Sequence, residues 1–164
     1  RLLRAFVLFH NKHSDSELWL IGDGEKKTEI ETFVCENDLS ENVKFLGLQS
    51  DVHEFLCEAD IFVLPSDYEG MPMTIIEAMG TGLPCIASNV GGIPDMISNG
   101  VDGVLIEPNE GALVDAIESL YNDMTLRKKL GENAKKRAQS FSSEQMAREY
   151  IKVYGDCIYE SGKQ

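Results

Sequence analysis

Apolar residues recur along the chain in two alternating rhythms. Short continuous runs of three or four are separated by stretches with helical spacing. Leu2, Phe6 and Phe9 fall on one face of a helix predicted from Arg1 to His13. Leu18–Ile21 reads as a strand ending at Gly22-Asp23-Gly24, and Glu25 to Asn37 as a second helix. Val43–Leu46 is a strand ending at Gly47. Asp51 to Ala59 is helical, with Asp51 and Glu54 at capping-box spacing. Ile61–Leu64 reads as a buried strand stopped by Pro65. Met73 to Gly80 is a helix closed by the glycine at its end. Pro84 to Ser88 is a strand, Ile93 to Ser98 a short helix, and Val104–Ile106 a fifth strand.

Strands with no polar alternation suit a sheet covered on both faces, so the expectation is a parallel α/β sheet. Beyond Pro108 the pattern is helical throughout. Leu113, Ala116, Ile117 and Leu120 line one face, and Leu126, Leu130, Ala134 and Ala138 a second. Ser142 opens a third helix with Met146, Tyr150, Ile151 and Tyr154 on one side. Residues 1–108 are expected to form a Rossmann-like core and residues 109–164 the C-terminal helices of the same domain. Tyr150, Tyr154, Cys157 and Ile158 are apolar enough for core packing or for a contact with a missing domain.

Composition narrows the partners. The chain has 164 residues, 43% of them hydrophobic and 26% charged, which fits one globular domain. Acidic side chains outnumber basic ones 28 to 15, for a formal charge of −13. That balance opposes nucleic acid as a partner. No apolar run approaches the roughly 18 residues of a membrane span. The opening at Arg1 shows no signal peptide and reads as a piece of something longer, and a cytoplasmic location is expected. Cys35, Cys57, Cys85 and Cys157 form no CxxC pair and read as reduced core thiols. His10, His13 and His53 suggest no metal site.

In an open parallel sheet, ligands bind beyond the carboxyl ends of the strands. The segments there are Gly22 to Gly24, Gly47 to Ser50, Pro65 to Thr74 and Ser88 to Gly92. The densest is Pro65 to Met79, which runs from a strand end through a Gly/Pro turn into a helix. Glu69 lies in its loop, and Glu77 about one turn into the helix, with a side chain tilted back toward the helix start. Between them lie the amides of Met73, Thr74 and Ile75, expected to be free. Two carboxylates around an amide cluster suit sugar hydroxyls and a phosphate in one ligand. The spacing alone decides nothing, because Glu17 with Glu25 and Glu110 with Glu118 share it. Thr74 to Glu77 also matches a capping box, and Glu69 could be a solvated loop carboxylate.

The stretch from Val43 to Ser88 resembles the C-terminal domain of the group 1 glycosyltransferases, also called family 4, which have the GT-B fold. The carrying residues are Phe45-Leu46-Gly47, Ala59 to Ser66, Glu69-Gly70 through Glu77-Ala78-Met79, and Gly82-Leu83-Pro84. Gly91 to Asp95, Asn99 to Gly103, Leu3 to Phe6 and Ile21 to Gly24 extend the likeness over nearly the whole chain. The resemblance implies half of a GT-B fold: a doubly wound parallel sheet lacking its first strand, followed by a helical segment. It implies retaining transfer of a hexose from a nucleotide diphosphate sugar, with no cofactor and no obligatory metal. By the same likeness Glu69 holds the donor sugar and is the catalytic position, and Glu77 holds the ribose. The backbone of Gly70, Met71, Pro72, Met73, Thr74 and Ile75 would face sugar and diphosphate. Gly22, Asp23 and Gly24, with Gly47 and Leu48, would line the base side. The family often reads Glu-Gly-Phe-Gly where this chain has Glu69-Gly70-Met71-Pro72, and Pro72 removes one amide donor.

The resemblance also implies parts outside this chain. These are a first strand bearing a basic diphosphate clamp, and an N-terminal acceptor-binding domain. The chain alone is therefore expected to have no turnover and weak donor binding, while the full-length protein could associate peripherally with a membrane. Two rivals are a non-catalytic sugar-nucleotide binding domain and a phosphoacceptor signalling domain using Asp67. The second lacks a Lys after a late strand, where Ala87-Ser88-Asn89 stands.

Overall fold

A computed structural model describes the backbone of residues 1–161 and the side chains of residues 1–155. The elements alternate as α1 (Leu2–His10), β1 (Leu18–Ile21), α2 (Lys27–Glu36), β2 (Val43–Gly47), α3 (His53–Glu58), β3 (Phe62–Leu64), α4 (Met73–Thr81), β4 (Cys85–Ser88), α5 (Ile93–Met96) and β5 (Val104–Ile106). Three helices follow, α6 (Glu110–Asn122), α7 (Met124–Ala138) and α8 (Ser143–Ser161). Every strand pairing is parallel: β1 with β2, and β3 with β4 with β5.

β4 is the best-covered strand, with all four residues buried. Its alternation splits the core into two layers. Ile86 packs with Ala5, Phe6 and Phe9 of α1 and with Leu113, Ile117 and Leu120 of α6. Cys85 and Ala87 pack on the other side with Ile75, Ala78 and Met79 of α4 and Ala134 of α7. Helices therefore cover both faces of the sheet, as a doubly wound fold requires. Met73, at the start of α4, and Glu77 are delivered to the carboxyl edge by this packing, because Ile75, Ala78 and Met79 anchor the opposite face of the same helix.

The single sheet suggested by the strand pattern is divided in two. β1–β2 and β3–β4–β5 share no ladder. Between them lies a slot of about 700 Å³ lined by Leu18 to Ile21 of β1 and by Ile61 to Leu64. No residue of β2 lines it, so the strands run β2, β1, slot, β3, β4, β5. This is the place at which the resemblance would put the fold's first strand. It explains why β1 and β3 are only partly buried despite their apolar sequence. Trp19 of β1 and Phe55 of α3 meet edge-to-face at the slot wall, with ring centroids 6.2 Å apart.

Several local expectations are corrected. α4 continues through Gly80 and is closed by Gly82, whose φ of +88° suits a residue without Cβ. α5 stops at Met96. Neither predicted capping box forms. Val52 occupies the N-cap of α3, and Asp51 accepts from the His53 amide at 2.8 Å. Pro72 occupies the N-cap of α4, with no side-chain cap. Cys35 and Cys57 are exposed, not core thiols, and only Cys85 among the described cysteines is buried. Met146, Tyr150, Ile151 and Tyr154 of α8 are exposed as well, so they are not core residues. Cys157 and Ile158 lie outside the residues with described side chains.

Candidate functional site

The carboxyl ends of β1, β2, β3 and β4 form one edge, and the predicted segments gather there. The β1 and β2 turns touch directly: the Gly22 amide donates to the Gly47 carbonyl at 2.7 Å. Gly22 holds φ +123° and Gly47 φ +66°, conformations that suit glycine. Asp23 turns back to accept from the Gly24 amide at 2.9 Å. Leu48, next along, is among the most exposed apolar side chains. Gly22, Asp23, Gly24, Gly47 and Leu48 therefore form one joined rim.

The loop after β3 is built around Glu69. The Ser66 hydroxyl donates to Glu69 Oε1 at 2.8 Å. The Gly92 amide donates to the Glu69 carbonyl at 3.1 Å. Glu69 is half-buried, so it is not the freely solvated loop carboxylate that its position alone allowed. Gly70 and Met71 are exposed beyond it, and Pro72 leads into α4 with ψ 116°.

At the start of α4 the amides of Met73 and Thr74 precede the first helical hydrogen bond, and the helix dipole is positive there. The Ile75 amide is not free as expected. It donates to the Pro72 carbonyl at 3.2 Å, and the Ile75 side chain is fully buried. The amide cluster is thus smaller than the sequence suggested. Glu77 is exposed and, with Thr74, lines the end of the slot between β1 and β3. With Pro72 at the cap, Glu77 does not serve its own helix. Glu69 is not among the residues lining that slot.

Sequence reasoning gave no individual role to Arg1, Ser66 or the Gly91–Gly92 turn. The Arg1 guanidinium donates to the Pro65 carbonyl at 2.7 Å and pairs with Asp67, tying the start of α1 to the loop. Ser66 orients Glu69, and its position three residues ahead was the available signal. Gly91 and Gly92 press on the loop from beneath, as their pairing after β4 could have indicated. Among the described residues no group of three His, Cys, Asp or Glu side chains is placed to hold a metal ion. No helix there is long and apolar enough to cross a membrane.

Comparison with known proteins decides the family. The model of the glycosyl transferases group 1 matches residues 1–137. The chain belongs to the group 1 glycosyltransferases. It is 34% identical over 146 residues to the N-acetyl-alpha-D-glucosaminyl L-malate synthase of Bacillus anthracis, covering 88% of this chain and 38% of that protein. Among solved structures, Anabaena Alr3699/HepE in complex with UDP-glucose superposes with a TM-score of 0.85 at 25% identity, over 94% of this chain and 44% of the other. The C-terminal domain of a glycosyl transferase group 1 family protein (LpcC) from Francisella tularensis superposes with a TM-score of 0.76 at 26% identity. It matches over 85% of this chain and 76% of that domain. The fold is the Rossmann-like half of a GT-B glycosyltransferase, and the chain spans less than half the length of such relatives as the malate synthase and HepE. Membership displaces the signalling reading of Asp67, which here is an ion-pair partner of Arg1.

Proposed function

We propose that this group 1 glycosyltransferase chain binds the nucleotide diphosphate sugar donor for a retaining hexosyl transfer. The observation that carries the reading is the start of α4, where open amides of Met73 and Thr74 lie beside an exposed, uncapped Glu77. Amides at a helix start suit the diphosphate. A carboxylate without an internal partner suits a vicinal diol, such as that of a ribose. Glu69, held in the neighbouring loop, takes the hydroxyls of the donor sugar. The Gly22–Gly47 rim borders the base. The bond between the sugar's anomeric carbon and the diphosphate breaks, the acceptor oxygen attaches to that carbon on the face the diphosphate leaves, and the acceptor's hydroxyl proton passes to the departing diphosphate. The acceptor site and the basic groups opposite the diphosphate belong to polypeptide outside this chain, so the chain alone binds donor weakly and turns nothing over.

Support comes from the relatives' own ligands: HepE is seen with UDP-glucose. Calorimetric titration of the chain with uridine and guanosine diphosphates tests the reading. One of the two binds, and Glu77→Ala weakens it by about tenfold or more, the loss of charge-assisted hydrogen bonds worth roughly 1.5–3 kcal/mol. Binding of neither nucleotide, or equal binding by the variant, overturns the assignment.

A further inference from the structure

We infer that Ser66 and the Gly91–Gly92 turn form a brace that sets the orientation of Glu69, and so the chain's preference for a sugar-bearing donor over the bare nucleotide. The inference rests on the proposed role of Glu69.

The brace acts on both parts of the residue. The Ser66 hydroxyl fixes one carboxylate oxygen, Oε1, at 2.8 Å, and among the described residues no protein donor reaches Oε2. The Gly92 amide fixes the Glu69 carbonyl at 3.1 Å. The approach beneath the loop is closer than any other residue permits. A Cβ on Gly91 would stand 1.8 Å from the Glu69 oxygen, and one on Gly92 2.1 Å from the Gly70 oxygen. Gly91 also holds φ +54°. Side chains are excluded at two consecutive positions because backbone lies directly on backbone, and that backbone carries Glu69.

Glutamate has three side-chain torsions, so an unheld carboxylate in a loop samples many orientations. A contact to sugar hydroxyls gains from a group already in place, and a displacement near 1 Å can cost on the order of a hundredfold. Ser66 acts on the Glu69 carboxylate and the two glycines on the Glu69–Gly70 backbone, so they are positioning residues. The nucleotide contacts at Glu77 and the α4 amides do not pass through the brace.

The test compares two affinities in the intact protein that carries this chain. Uridine diphosphate with UDP-glucose, and guanosine diphosphate with GDP-mannose, are titrated by calorimetry, and the pair that binds is carried forward. Ser66→Ala is expected to leave nucleoside diphosphate affinity within about twofold while the extra affinity for the sugar-bearing form falls about tenfold or more. Ser66→Thr, which keeps the hydroxyl, restores it. Gly92→Ala lowers the same ratio. A ratio unchanged in Ser66→Ala overturns the brace and leaves the donor assignment standing. An equal loss for both ligands assigns Ser66 a general structural role and likewise overturns it. Wild-type protein that binds neither pair removes the donor assignment and the brace together.

Discussion

The α-carbon of Gly131 in α7 rests against the carbonyl oxygen of Gly82 at the end of α4, so closely that a methyl group would stand 2.1 Å from that oxygen. Ala134 and Leu130 of α7 are fully buried around this contact. Gly131→Ala should force the helices apart and destabilise the chain by about 1–3 kcal/mol, despite its better helix propensity. A lower urea midpoint with an unchanged denaturant slope checks this. An unchanged or higher midpoint would show that the helices yield freely.

Glu118 on α6 draws Lys12 and His13 from the segment after α1, at 2.8 and 3.0 Å. The Lys12 hydrogen bond first, then that of His13, lowers the Glu118 pKa from 4.5 to about 2. A carboxylate depressed in the folded state adds stability above its unfolded value and loses it as pH falls. The gap in melting temperature between wild type and Glu118→Gln should be widest above pH 4.5 and close by about pH 2. A gap constant across that window would dissociate the carboxylate from the effect.

Burial, with the Asp102 carboxylate adding to it, pushes the Cys85 thiol up to about 12. Cys35 and Cys57 face solvent. In a Cys157→Ser variant a disulfide reagent should titrate Cys35 and Cys57 in native protein, and Cys85 only after unfolding. Rapid native modification of Cys85 would contradict the packing of β4.

Gly22 reaches the Gly47 carbonyl only by holding φ +123°. Gly22→Val should cost about 1–3 kcal/mol of backbone strain or break that hydrogen bond. Nucleotide affinity measured by calorimetry is expected to fall with it. Full retention of both stability and affinity would separate this rim from the ligand.

The repeating strand–helix order was legible because the strands are short, mostly apolar runs and each strand-to-helix turn carries Gly or Pro. The parts that were not legible share a cause. Cys35 adjoins buried Val34, and Cys57 adjoins buried Leu56, yet one helical step rotates a side chain by about 100° and turns both outward. The capping box at Thr74 matched in spacing, but Pro72 already ended the loop in extended geometry and took the N-cap two residues ahead of Thr74. The position of Glu69 was readable from its motif. What holds it was not, since Ser66 acts through a hydrogen bond and Gly91–Gly92 comes from the turn after β4, distant along the chain.

The opening between β1 and β3 has a mechanical consequence. With no ladder across it, the half bearing the Gly22–Gly47 rim and the half bearing Glu69 and α4 are coupled only through side chains and helices. A polypeptide ribbon seated there would bond to both flanks and lock them at one angle, so rigidity of the ligand mouth arrives from the middle of the sheet outward.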